Sequence, residues 1–125
     1  MIIGIGIDVV AAQRIAKSLA EGDGSFEARV FTPGERAACR DRVDRVQALA
    51  ARFAAKEACC KALGTGLGQG IALDRVEVIG VEGGRPDLRL TGSAAERAQA
   101  LGVRKIHVTL THEFDVAAAV IVLEG

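Results

Sequence analysis

At 125 residues the chain is one domain by length, and a domain of this size buries roughly two-thirds of the surface its unfolded chain would expose. Sixteen Lys and Arg against sixteen Asp and Glu give a formal charge of zero. That excludes a general nucleic-acid binder, whose affinity rests on neutralising phosphates. Hydrophobic residues are 50% of the chain, but alanine supplies much of this and four phenylalanines supply all the aromatic bulk. The expected core is therefore thin, with apolar surface left for copies of the same chain to cover.

Ile2 to Val10 is apolar and β-branched with glycines at 4 and 6, and predicts a buried strand. It has no basic region and meets Asp8, so it does not read as a signal peptide. Ala11 to Ala20 reads as a short helix with Arg14, Lys17 and Ser18 outward, and Gly22 to Ser25 as a loop. Thr32-Pro33, with Glu35 in capping-box spacing, opens a helix to about Arg42. A long helix to about Leu63 follows, and then glycines at 64, 66, 68 and 70. Val76 to Val81 and Leu88 to Thr91 are expected as strands around the turn 82–86. Ser93 is expected to cap a helix through Leu101, with Glu96 completing a second capping box and Gly102 ending it. Val103 to Thr111 and Val116 to Leu123 form a last hairpin, and this final apolar run is far too short to cross a bilayer. The order predicts an α+β fold, a mostly antiparallel sheet packed with a long central helix.

The chemistry concentrates between Leu49 and Gly70. Arg52 and Lys56 lie four residues apart, as do Glu57 and Lys61, and the two pairs are about 100° apart around the helix axis. One acid among three bases, just before a run of free backbone amides, suits a metal ion and a phosphate. The competing reading is an ordinary Glu57–Lys61 ion pair worth a few tenths of a kcal/mol. Asp8 ends the first strand, and if strand and helix pack together, Asp8 and Glu57 converge on Mg²⁺. The glycines follow a helix, which the dinucleotide fingerprint does not, and a helix C-cap needs one or two of them. Four suggest close backbone approach to a ligand. His112, beside Thr111 at a strand end, is a phosphate ligand, a proton carrier or a structural residue, while His107 faces the other side. Arg29, Arg36, Arg40, Arg42 and Arg45, with Arg14 and Lys17, make either a basic face for an acidic partner or a solvated surface offset by Glu35, Asp41 and Asp44. Cys39, Cys59 and Cys60 are odd in number, lack zinc spacing and read as small buried hydrophobes of a reduced, cytoplasmic protein.

These signals join into a pattern. GIGIDVV at 4–10, Arg14-Ile15, Phe31-Thr32 with Glu35, RFAAKEACCKALGTG at 52–66, Gly84-Arg85-Pro86 and TLTHE at 109–113 fall in order along the chain. Together they resemble the holo-acyl-carrier-protein synthase family of small 4′-phosphopantetheinyl transferases, across essentially the whole length. The resemblance implies that family's fold and the transfer of the 4′-phosphopantetheine arm of coenzyme A to a serine of an acidic apo acyl carrier protein, with Mg²⁺, releasing adenosine 3′,5′-bisphosphate.

By motif it makes Asp8 and Glu57 metal ligands and catalytic residues, and sets Lys61 near the pyrophosphate. Arg52 and His112 then hold the 3′-phosphate, with Thr111 beside them, while Gly64, Gly66, Arg85 and Pro86 line the nucleotide. Arg14, Phe26 and Arg29 meet the carrier. The resemblance further implies a homotrimer with active sites between subunits, and no nucleic acid or membrane partner. The chain departs from many relatives in carrying Thr109 and Thr111 in place of serines and no tryptophan near Ala72-Leu73. The threonines keep the hydroxyl, and the acceptor stays open between the fatty-acid carrier and a specialised one. A non-catalytic nucleotide or carrier module is the rival reading, against which the intact Asp8, Glu57 and Lys61 argue. An RNA-binding domain ranks last, for want of net positive charge and stacking aromatics.

Overall fold

The computed structural model describes residues 1–65, 70–80 and 84–125. Its elements in chain order are β1 (Ile2–Ala11), α1 (Ala12–Ala20), α2 (Ser25–Val30), α3 (Pro33–Cys39), α4 (Arg45–Ala62), a 3₁₀ turn (Leu73–Arg75), β2 (Val76–Ile79), β3 (Asp87–Leu90), α5 (Gly92–Leu101), β4 (Lys105–Glu113) and β5 (Val116–Glu124). The expected α+β class stands. The sheet order is β1-β5-β4, antiparallel throughout, and β2 pairs with β3 in a separate two-stranded ribbon.

The central strand β5 alternates in burial, with Ala117, Ala119, Ile121 and Leu123 facing inward. In β1 the even positions Gly4, Gly6, Asp8 and Val10 face the helix layer. The odd positions Ile5, Ile7 and Val9 look outward at 61%, 58% and 61% exposure, so this sheet has a bare apolar side. On the covered side lies α4, buried along nearly its whole length. A Cβ added at Gly6 would overlap the Ala58 carbonyl, and one at Gly4 the Ala62 carbonyl. Ala58 and Ala62 are one helical turn apart, so two glycines of the strand accept two successive turns of an alanine-faced helix. Backbone against backbone is how a chain with few large side chains builds a dense core.

Local chemistry is visible at some helix ends, and α5 departs from it where the sequence predicts a cap. Thr32 and Glu35 form the expected capping box on α3. Gly64 takes φ 77° and closes α4, its amide donating to the Lys61 carbonyl while Thr65 N donates to that of Cys60. This is the Schellman pattern, which accounts for one of the glycines by itself. In α5 Ser93 lies inside the helix, Thr91 is the N-cap and no side chain caps it. Entry is fixed from elsewhere: Thr91 N donates to the Arg75 carbonyl, and Gly92 at φ 49° packs against the Arg75 side chain.

The six-residue α2 carries no periodicity long enough to read from sequence, and α3 stops at Cys39, short of Arg42. Among the described residues no helix is long and apolar enough to cross a membrane.

The Gly6 contact has a direct consequence. Gly6→Ala should lower the unfolding free energy by about 2 kcal/mol or more, because the obstructing atoms belong to backbone that cannot rotate away. Urea titration reads this as a lower midpoint at unchanged slope. Wild-type stability in the variant would mean that β1 and α4 leave room for a methyl group.

Candidate active site

Asp8 leaves β1 two residues after Gly6, on the same face, and so points at α4. There α4 presents Phe53, Glu57 and Lys61, spaced four apart along one side. Lys61 Nζ donates to Asp8 Oδ1 at 3.1 Å and to the Ile7 carbonyl at 3.0 Å. The competing reading of a Glu57–Lys61 ion pair does not hold: Lys61 pairs across to the strand, because the glycines bring β1 within its reach.

Glu57 is 6% exposed, and among the described residues no hydrogen bond or ion pair reaches its carboxylate. Burial raises its pKa above the ordinary carboxylate value, and the nearby Asp8 charge pushes the same way, against Arg14 and Lys61. Asp8, Arg14, Glu57 and Lys61 thus share one electrostatic neighbourhood. An acid whose charged form is disfavoured by burial and by a neighbouring carboxylate is the kind of group that concentrates at functional sites. Asp8 and Glu57 together offer two hard oxygen donors. Among the described residues no group of three or more His, Cys, Asp or Glu comes together. That donor set fits Mg²⁺, which binds through one or two carboxylates and fills its remaining positions with phosphate oxygens and water.

Aromatic packing joins this acid to the basic helix α1. The Arg14 guanidinium lies over the Phe53 ring at 5.7 Å from its centroid, and Phe26 packs on the same ring at 6.3 Å. Phe53 escaped the sequence reading, although its place one turn before Glu57 on the same helix side was a usable signal. Arg29, in contrast, stays in solvent and reaches only the Ser25 carbonyl, at 3.3 Å.

The residues assigned to the nucleotide fall in several places on one chain. Arg52 is 3% exposed, one amine donates to the Ala48 carbonyl at 3.2 Å, and its buried Nε has no partner among the described residues. His112 is exposed near the start of α4, 3.9 Å from Asp44, whose carboxyl is held below its usual pKa chiefly by a hydrogen bond from Arg42. Thr111, the next residue along β4, points to the opposite sheet face.

Arg85 and Pro86 line a cleft of about 730 Å³ between β3, α5 and β4, together with Arg104, Lys105 and His107. From Val108 on that cleft to His112 is about 13 Å along the strand. Gly64 sits at the end of α4 beside Lys61, and Gly66 lies outside the described residues.

Two expectations about charge change. Lys56, grouped in the sequence with Arg52 and Lys61 as bases suited to a metal ion and a phosphate, is fully buried against Glu35 instead, at 2.7 Å. The basic run is largely neutralised, with Arg36 and Arg45 on Glu27 and Arg42 on Asp44. Burial pushes the Cys59 thiol up to about 12, that of Cys60 up to about 11 and raises that of Cys39, which favours the unreactive thiol form.

Comparison with known proteins shows the family. The family model described as "4'-phosphopantetheinyl transferase superfamily" matches residues 4–120. A holo-[acyl-carrier-protein] synthase from Methylobacterium sp. (strain 4-46) is 50% identical over 129 residues, covering 100% of this chain and 96% of the relative. The crystal structure of holo-[acyl-carrier-protein] synthase from Neisseria meningitidis superposes with a TM-score of 0.89 at 30% identity, covering 100% of both chains. That of the Helicobacter pylori enzyme in complex with coenzyme A gives 0.83 at 28% identity, covering 96% of this chain and 99% of that one. A full-length match in sequence and in fold decides the family: the chain belongs to the 4′-phosphopantetheinyl transferase superfamily.

Proposed function

We propose that this enzyme transfers the 4′-phosphopantetheine arm of coenzyme A to a serine of an apo acyl carrier protein, with Mg²⁺, releasing adenosine 3′,5′-bisphosphate. The observation that carries the reading is Glu57: a carboxylate on a largely buried residue, with a raised pKa, in the same electrostatic neighbourhood as Asp8 and Lys61. Phosphoryl transfer asks a protein chiefly for positioning and for cations where charge develops. Lys61 brings an ammonium to the pyrophosphate and to the leaving phosphate. Glu57, whose environment favours its protonated form, takes the serine proton. Asp8 and Glu57 would hold Mg²⁺, and a cation bound there supplies charge neutralisation of the pyrophosphate.

The remaining assignments follow the same logic. Arg52 is a buried cation with no acid partner among the described residues, a state that an anionic 3′-phosphate relieves. We assign His112 and Thr111 to the same end of the nucleotide, and Gly64, Gly66, Arg85 and Pro86 to its lining. Arg14 and Phe26, coupled to the acid through Phe53, would receive an acidic carrier so that its serine lies near Glu57, with Arg29 at the edge of that surface.

We further propose a homotrimer with shared active sites. The bare Ile5, Ile7 and Val9 face needs cover, and the nucleotide candidates are scattered on one chain. The enzyme would serve fatty acid or polyketide biosynthesis in the cytoplasm, where its buried free thiols stay reduced.

Incubation with apo carrier protein, coenzyme A and Mg²⁺ should add the phosphopantetheine mass to the carrier by mass spectrometry, and chelation of the metal should stop it. No added mass with several carriers would overturn the proposal. Glu57→Gln should lower turnover about 10²–10⁴-fold, the span expected for losing an acid–base group.

The same variant should gain stability. A carboxylate whose folded pKa lies above its usual 4.5 costs stability while charged, and the cost vanishes as pH falls through the raised value. The Glu57→Gln protein should therefore have a higher Tm than wild type at neutral pH, with the difference closing as the pH falls towards 4.5, the ordinary carboxylate value. An equal Tm at neutral pH would show that the carboxylate is satisfied in solution. Ile7→Lys, on the bare face, should reduce the sedimenting mass to that of one chain and abolish transfer, whereas an unchanged mass would remove this face from any interface.

A further inference from the structure

We propose that Asp44, held by Arg42, positions the His112 ring for the 3′-phosphate of coenzyme A. The inference rests on the 3′-phosphate reading of His112 given above.

Asp44 stands at the N-cap of α4, a place where aspartate ordinarily accepts a hydrogen bond from the second or third helical amide. Here it does not: no side chain caps α4. The Asp44 backbone, at φ −95° and ψ 37°, lies outside the extended region that a capping residue takes. Its carboxylate serves two other groups instead. The Arg42 guanidinium forks onto it, Nε donating to Oδ1 at 2.8 Å and Nη2 to Oδ2 at 2.9 Å. His112 Nε2 lies 3.9 Å from the same Oδ2, within ion-pair distance. Arg42 first, and His112 after it, hold the Asp44 carboxyl below its ordinary range.

Stability does not explain this choice. The side chains of Asp44, Arg42 and His112 are all more than a third exposed, and ion pairs so exposed contribute less than a helix cap does.

The histidine ring, in contrast, needs a partner. The backbone of His112 is fixed by its pairing with Ala117 on β5, and the turn beyond is tied to α1, where Ala12 N donates to the Asp115 carbonyl at 2.5 Å. Among the described residues, Asp44 is the one group that pairs with the ring itself. A carboxylate at Nε2 leaves Nδ1 for a ligand, and only the imidazolium donates at both nitrogens. Arg42 answers the Asp44 charge, so the carboxylate can orient the ring without repelling a phosphate.

Arg52 reaches towards the same end of α4, since its amine donates to the Ala48 carbonyl one turn earlier. The first turn of α4 carries no acid, so the positive end of the helix dipole adds to the field there. Asp44 thus acts through His112 and touches no reacting atom.

The test is steady-state kinetics of full-length Asp44→Asn with coenzyme A and with its 3′-dephospho form. Asparagine is as good an N-cap as aspartate, so the substitution removes the charge and spares the helix end. The expected result is a KM for coenzyme A raised about tenfold, as for the loss of one charge-assisted hydrogen bond, with the KM values for the dephospho form and for the carrier within about twofold. Added to His112→Ala, the substitution should cost nothing more. An unchanged KM for coenzyme A, a rise shared by the dephospho form, or full additivity with His112→Ala would overturn the proposal.

Should Asp44→Asn not fold, Arg42→Gln, at an exposed position, takes its place. It releases the carboxylate and should raise the same KM selectively, and an unchanged value would overturn the proposal. Failure of the underlying reading looks different. The wild-type protein would then transfer nothing, or His112→Ala would not distinguish coenzyme A from its dephospho form, and the proposal falls with that reading. A null result at position 44 alone leaves the reading standing.

Discussion

The whole arrangement depends on how closely β1 lies against α4. Gly4 and Gly6 remove the side chains that would hold strand and helix apart, and Ala58 and Ala62 do the same from the helix. This contact sets the depth of the core, and it brings a strand carboxylate to a helix carboxylate. At an ordinary strand-to-helix spacing, with a side chain between, Lys61 would not reach the Ile7 carbonyl and Asp8 together. The alanine richness that makes the composition look weak is what allows a backbone-to-backbone fit, and close packing is where dispersion contacts are densest.

Around that contact the helix separates its charges by what each must do. Lys56 is buried with every proton satisfied, and its charge is answered by Glu35. Glu57, one residue on and about 100° around the axis, is buried with no such answer. The first arrangement builds the structure. The second holds an acid ready for a cation or a proton, and the neighbouring Asp8 carboxylate adds to its discomfort. Neighbouring residues of one helix thus serve opposite purposes, decided by what packs opposite them.

The sheet shows a comparable division. Its inner side is covered by α4, while its outer side exposes a row of β-branched residues from β1. A chain with so little bulk cannot cover both faces of its own sheet, and this is the physical basis for our proposal that copies of the chain complete the molecule. The separation of Arg85 and Pro86 from His112 along β4 is then no obstacle to a common ligand, since neighbouring subunits can each bring one end of the strand.

Much was legible in the sequence. Local rules determined the β-rich first segment, the Thr32–Glu35 capping box, the glycine stop at Gly64 and the alternation of β5, because each depends on residues within a few positions. Motif resemblance further named Asp8, Glu57 and Lys61 as a group. Long-range choices were illegible for a plain reason: spacing records which residues share a helix face, not what that face meets. Lys56 was grouped with Arg52 and Lys61 as a ligand-facing base, yet its partner is Glu35, 21 residues away, and the partner of Lys61 is Asp8, not Glu57. Ser93 had every local mark of a cap and lost to a backbone hydrogen bond from Thr91 to Arg75. The sequence by itself determined the elements and the chemical types at the site. Only the tertiary structure decided which charges are paired and which are left unpaired, because pairing depends on the depth at which β1 and α4 meet.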